Sequence, residues 1–204
     1  MSAIEVYADI WCPFTHVGLR LVADRRLVRG RGDIAIRVRA WPLELVNATP
    51  LDKSRVEHHV RELRDQVAPD MFRGFTPTTF PKTTLPALSL AECAYTASDA
   101  VGEAVSFELR EALFEHGLNI SDARVLREIA RAHRLGIPTE QDGAAVLADW
   151  HEGQRRGVRG SPHFFCNGRN VFCPSLDISH DDEQLRLSKD LPALDSFLDA
   201  CFSS

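Results

Sequence analysis

The stretch "DIWCPFTHVG", residues 9–18, is where one hydrophobic pattern gives way to another. Before it, Ile4, Val6, Ala8 and Ile10 alternate with Glu5, Tyr7 and Asp9, the period-two signature of a strand. After it, Phe14, Val17, Gly18, Leu21 and Val22 recur at helical spacing. Pro13 suits a first helical turn, where its missing N–H has no intrahelical partner. Cys12 therefore falls at a strand-to-helix junction. The free N–H groups and the dipole of a helix start favour an anion there. This predicts a reactive thiol whose pKa lies below the ordinary value of about 8.5. The competing reading is a buried structural cysteine, a common fate of the free thiol.

The pattern extends outward from this junction. "RGRGD" ends the first helix, and residues 34–41, "IAIRVRAW", alternate again up to Pro42. Strand, helix, strand with short links predicts a parallel βαβ unit. Next come about a hundred residues of helical pattern. Val56, Val60, Leu63 and Val67 form one apolar face, and the proline-rich stretch at 68–86 reads as a loop. Further helices are expected near 87–99 and 103–116. Another should be capped by Ser121 and stopped by Gly136, and the next should open on a Thr139/Asp142 capping box. β-structure returns at "SPHFFCNGRNVFC", where Asn167-Gly168 is a hairpin signal. Leu191, Leu194, Phe197, Leu198 and Cys201 predict a closing helix. The expected fold class is α/β. Residues 1–48 and 153–204 make a βαβ–ββα thioredoxin-like core, with 49–152 as an all-helical insertion domain.

Bulk properties narrow the function. The 204-residue chain is 44% hydrophobic and 26% charged, with a net charge of −5, which argues against nucleic-acid binding. No apolar run approaches the roughly 20 residues of a membrane span. "MSAIEVYADIW" has no signal-peptide pattern, so a cytoplasmic location is expected. The five cysteines are odd in number and irregular in spacing, which argues against a disulfide framework and against a metal site.

Several residues join Cys12 as candidates. Thr15, one turn on, either hydrogen-bonds the sulfur or is an idle surface residue. His16 either adds charge and a proton donor or faces solvent, and His163 has the same two readings. Trp11 and Phe14 either form an apolar contact surface or belong to the core. Arg155, Arg156 and Arg159 either hold carboxylates of a small thiol or lie on a solvated helix end.

"YADIWCPFTHVGLRLV", "IRVRAWPLELV", "LFEHGLNISDARVLREIA" and "GVRGSPHFF" resemble the DsbA-like thioredoxin-fold family, and most of all its cytoplasmic FrnE-like branch. The resemblance implies that Cys12 is the nucleophile. It also implies that Pro162 is a cis-proline beside the sulfur, and that Ser161 offers backbone hydrogen bonds to a bound substrate. Trp11, Pro13, Phe14 and Arg159 complete the substrate-binding set. The departure is Thr15, where redox members of the family carry a second cysteine. Related kappa-class glutathione transferases and 2-hydroxychromene-2-carboxylate isomerases carry a Ser-Pro type motif and bind glutathione.

Without a thiol at position 15, Cys12 can form a mixed disulfide but cannot release it internally from there. Cys166 lies roughly 13 Å along its strand from Pro162, and Cys173 about 10 Å from the first strand, so neither is well placed. The expected activity is thiol–disulfide exchange by one cysteine with an external thiol such as glutathione or mycothiol, with no tightly bound cofactor. The alternatives are a thiol-dependent transferase or isomerase, and a non-catalytic binding module. Expected partners are a small thiol and disulfide-containing proteins, acting on a monomer or homodimer.

Overall fold

The computed structural model describes residues 3–49, 52–181 and 184–203. Strand β1 (Ile4–Ala8) leads into helix α1 (Pro13–Val28), which returns to β2 (Ile36–Ala40). β1 and β2 pair in parallel, Val6 opposite Val38. β1 is shorter than its alternation suggests. At Asp9 the side chain accepts from the backbone N–H groups of Ile10 (2.7 Å) and Leu43 (2.6 Å), which ends the strand. Its residues are buried on both faces. Ile4, Val6 and Ala8 meet Leu19, Val22, Leu194 and Phe197, while Tyr7 meets Trp41 and Phe165.

Helices α2 (Leu43–Val46), α3 (Lys53–Gln66), α4 (Leu85–Ala97), α5 (Asp99–Phe114), α6 (Ala123–Ala132) and α7 (Glu140–Arg155) follow. The capping box at Thr139 and Asp142 is present. The cap of α6 is Asp122, not Ser121. The Asp122 carboxylate accepts from Arg124 N, while Ser121 bonds the Asn119 side chain.

The helical block is fastened to the sheet through the outer edge of β2. An edge strand presents unpaired N–H groups, and here a side chain from the block meets every second one. Ile36 N donates to Glu103 (2.8 Å), Val38 N to the Tyr95 hydroxyl (2.8 Å) and Ala40 N to Asp149 (3.2 Å). One apolar core runs from Ile10, Trp11 and Val17 into Leu63, Leu90, Leu109 and Phe114. The chemistry-bearing junction therefore sits where sheet and helices meet.

β3 (His163–Cys166) and β4 (Arg169–Phe172) form the hairpin at Asn167-Gly168, and both turn residues have positive φ, as a tight two-residue turn requires. The sheet order is β2-β1-β3-β4. A second hairpin follows, β5 (Leu176–Asp181) with β6 (Gln184–Lys189), as a separate two-stranded sheet. Its buried Leu185 and Leu187 face the core, and Gln66 of α3 bonds the backbone of both residues. Helix α8 (Leu191–Phe202) closes the chain.

Candidate active site

Cys12 is the N-cap residue of α1, with extended backbone (φ −80°, ψ 111°). Its thiol donates to the carbonyl of Ser161 at 3.1 Å. The Ser161–Pro162 peptide bond is cis. The Ser161 hydroxyl is a small hub: it accepts from Asp9 N (2.9 Å) and shares a hydrogen bond with the Thr15 hydroxyl (2.8 Å). Thr15 is fully buried and turned toward this hub, so it is not an idle surface residue. Cys12, Thr15, Ser161 and Pro162 are thus brought together.

The electrostatics differ from the expectation of a thiolate poised by the helix start. Cys12 is 5% exposed, and burial pushes its pKa up. Hydrogen bonds from Thr15 and Ser161 pull the other way, and the neighbouring Asp9 charge pushes up again. Desolvation wins, so the resting group is the thiol. The helix start sits under a lid of protein, and its polar groups do not make up for the lost water.

Two buried charged groups, neither marked by any motif, frame the sulfur. Asp9 is fully buried, and desolvation lifts its carboxyl to about 6. Arg110 of α5 is 1% exposed. It donates to the Ser106 carbonyl and hydroxyl (both 2.7 Å) and to the Asp9 carbonyl (3.3 Å). Burial lowers its pKa to about 10, and Tyr95, Asp9 and Cys12 favour its charge. A clue to Arg110 exists in the sequence: a guanidinium interrupts the apolar face of Val105, Leu109, Ala112 and Leu113.

His16 lies elsewhere. Its imidazole stacks on Phe114 (5.0 Å), meets Phe72 edge-on, and bonds the Glu115 carboxylate through Nε2 at 2.7 Å. Burial lowers its pKa, while Glu115 opposes that shift. The buried imidazole is neutral at neutral pH. Glu115 also accepts from Phe72 N (2.8 Å) and Arg73 N (3.2 Å), so one carboxylate ties α1, α5 and the 68–84 segment together. His16 thus holds the frame and neither faces solvent nor bonds the sulfur.

The apolar candidates divide. Trp11 is fully buried and stacks parallel on Phe80 of the 68–84 segment (5.6 Å, 2°), with its indole N–H unpartnered. Half-buried Phe14 covers His59 at 5.0 Å. Pro13 is buried in the first turn. The arginines engage protein groups: Arg155 pairs with Glu152, and Arg156 with Glu5 and the face of Phe165. Arg159 is exposed, and its guanidinium lies over Phe172. His163 accepts from Arg159 N and bonds Asn170. Cys173 donates its N–H to the Pro162 carbonyl (3.0 Å), and burial pushes its thiol up to about 12. Among the described residues no cluster of three or more His, Cys, Asp or Glu could hold a metal, and no helix is long and apolar enough to cross a membrane.

A thiol at a helix start, facing the peptide before a cis-proline on an antiparallel strand, defines a thioredoxin-type site. Residues 3–184 match the DsbA-like thioredoxin domain family, and the chain belongs to that family. Its fold is similar to the cytosolic disulfide reductase DsbM from Pseudomonas aeruginosa (16% identity, TM-score 0.64, 97% of each chain). The structure of that protein with GSH matches with a TM-score of 0.62, at 15% identity over 99% of this chain and 100% of that one. A 2-hydroxychromene-2-carboxylate isomerase is also similar (12% identity, TM-score 0.63, 83% of this chain and 88% of that one). No curated protein matches the sequence.

Proposed function

We propose that the protein is a thiol–disulfide oxidoreductase in which Cys12 acts alone and an external low-molecular-weight thiol completes each cycle. The observation that carries this reading is the Cys12 sulfur lying 3.1 Å from the Ser161 carbonyl, with Thr15, not a thiol, one turn away. A disulfide substrate that reaches the sulfur brings polar groups to Cys12, which relieves the desolvation. Cys12 then ionises and attacks one sulfur of the substrate. A mixed disulfide forms on Cys12, and the other substrate sulfur leaves as a thiolate and takes up a proton. A small thiolate attacks the mixed disulfide, carries the substrate sulfur away in a new disulfide, and releases the Cys12 thiolate.

An external thiol is needed because the internal candidate is quiet. A Cys173 thiol held at about 12 offers almost no thiolate at neutral pH. The GSH complex of DsbM, a protein of the same fold, supports glutathione as the first thiol to try. The description of DsbM as cytosolic supports a cytoplasmic location. Residues 1–48 with 153–204 serve as the catalytic domain in this scheme. The helical domain, 49–152, supplies Arg110, Glu115 and Phe80.

Intact-mass measurement after exposure to glutathione disulfide tests the proposal. Wild type should hold one glutathione on Cys12 until free thiol is added. Thr15→Cys should shed the adduct unaided and form an internal disulfide, since residues three apart on a helix are neighbours. Conjugation of glutathione to an electrophile, with no adduct on Cys12, would instead establish a transferase. No reaction in either assay would leave a binding module.

A further inference from the structure

A pair of thiols lies apart from Cys12, in the core between the sheet and α8. Cys166 ends β3, and Cys201 sits in the last turn of α8. Both are buried, at 5% and 1% exposure, in the core formed by Ile4, Phe164, Leu194 and Phe197. The residue after Cys166 fixes the spacing of the two backbones. The Asn167 side-chain amide donates to the Cys201 carbonyl (3.0 Å) and to the Ala200 carbonyl (3.2 Å). The two thiols share this buried core, and Cys201 favours the thiolate of Cys166. Neither takes part in the chemistry at Cys12.

We propose that Cys166 and Cys201 form a redox-sensitive staple, closing to a disulfide with a low-molecular-weight disulfide as oxidant and clipping α8 to the sheet. Cys166 attacks one sulfur of the small disulfide, and a mixed disulfide forms as a small thiolate leaves. Cys201 then attacks the Cys166 sulfur and displaces the second small thiolate. The two protein thiols give up two electrons and two protons, and one small disulfide becomes two small thiols. Burial slows the first attack, because it raises the pKa of both thiols. The route in is the last turn of α8, whose carbonyls lack intrahelical partners and which therefore opens at little cost. Asn167 then holds the reclosed turn in register for the second attack.

The staple does not depend on Cys12, and its test removes that thiol. Full-length Cys12→Ser is incubated natively with glutathione disulfide, then examined by intact mass and by peptide mapping without reduction. The expected product has lost the mass of two hydrogens and links the Cys166 peptide to the Cys201 peptide. Its Tm is higher by roughly 5–15 °C, as one disulfide in a chain of this size implies, and dithiothreitol reverses the change. Cys12→Ser/Cys201→Ala should show neither the mass loss nor the Tm rise. A stable glutathione adduct on Cys166, a link through Cys93 or Cys173, or thiols still reduced after prolonged incubation would each overturn the proposal.

Discussion

Replacing Ser161 by Ala removes one oxygen and breaks two buried contacts. Asp9 N–H loses its acceptor at 2.9 Å, and the Thr15 hydroxyl loses its partner at 2.8 Å. Asp9 and Thr15 are both fully buried and Ser161 is half-buried, so water reaches the vacated place only from the Ser161 side. A buried polar group left unpaired costs about 1–3 kcal/mol. Thr15 keeps a bond to Cys12 and falls at the low end of that range. The sum is a stability loss of about 2–4 kcal/mol. The same change removes one of the hydrogen bonds that lower the Cys12 pKa, so the thiol becomes still harder to ionise. Urea unfolding at constant m reads the first effect, and the rate of iodoacetamide alkylation against pH reads the second. Thr15→Val breaks the shared bond from its other end. The double variant should therefore lose less than the sum of the singles, by about 1 kcal/mol. A Ser161→Ala protein within about 0.5 kcal/mol of wild type, or one alkylated faster, would refute the hub.

Glu115→Gln should cost about 1–2 kcal/mol, because His16 and the Phe72 and Arg73 N–H groups hold the carboxyl down at about 2 while solvent screens part of the gain. A folded-state pKa below the unfolded one stabilises above the unfolded value. The advantage of wild type over the variant should therefore be full above pH 4.5 and fade as the pH falls toward 2 in acid-unfolding curves. Arg110→Met should lower the Tm, since Ser106 and the Asp9 carbonyl lose their buried donor and the Asp9 carboxyl loses a neighbouring positive charge. The same variant should slow Cys12 alkylation at neutral pH, since the Arg110 charge and the Cys12 thiolate favour each other, and Arg110→Lys should recover part of the rate. Gly153→Ala should lower stability measurably in thermal melts, because its new Cβ would meet the Trp41 ring at 2.6 Å.

The parts of this fold that could be read in advance were those governed by local periodicity or turn chemistry. The change of period at Cys12, the Thr139 capping box and the Asn167-Gly168 turn all lie within a few residues of sequence. The second hairpin gives a weaker signal. Leu176 and Ile178 alternate with polar residues, but no glycine or asparagine marks the return near 182–183, which lies outside the described residues. Site residues follow the same division. Cys12 and Thr15 share a turn of helix, whereas Arg110 and Glu115 reach the junction from across the molecule. His16 shows the limit of proximity in sequence: four residues beyond the sulfur, its ring is claimed by Glu115. Cys12 shows the limit of local electrostatics, because the helix start alone would favour the thiolate and the covering segments reverse the balance.

The thiol's contact with the Ser161 carbonyl spans 149 residues of chain. At an elongation rate of 5–20 residues per second, Cys12 is made roughly 7–30 s before its partner. During that interval it is an ordinary solvated cysteine, with neither the desolvation nor the hub that later governs it. The sulfur passes through two chemical lives, first open to any passing disulfide and then selective once the hairpin closes over it. An adduct acquired in the first would have to be cleared by free thiol before the hairpin could close over the buried sulfur, so closure of the site itself selects chains whose Cys12 is reduced.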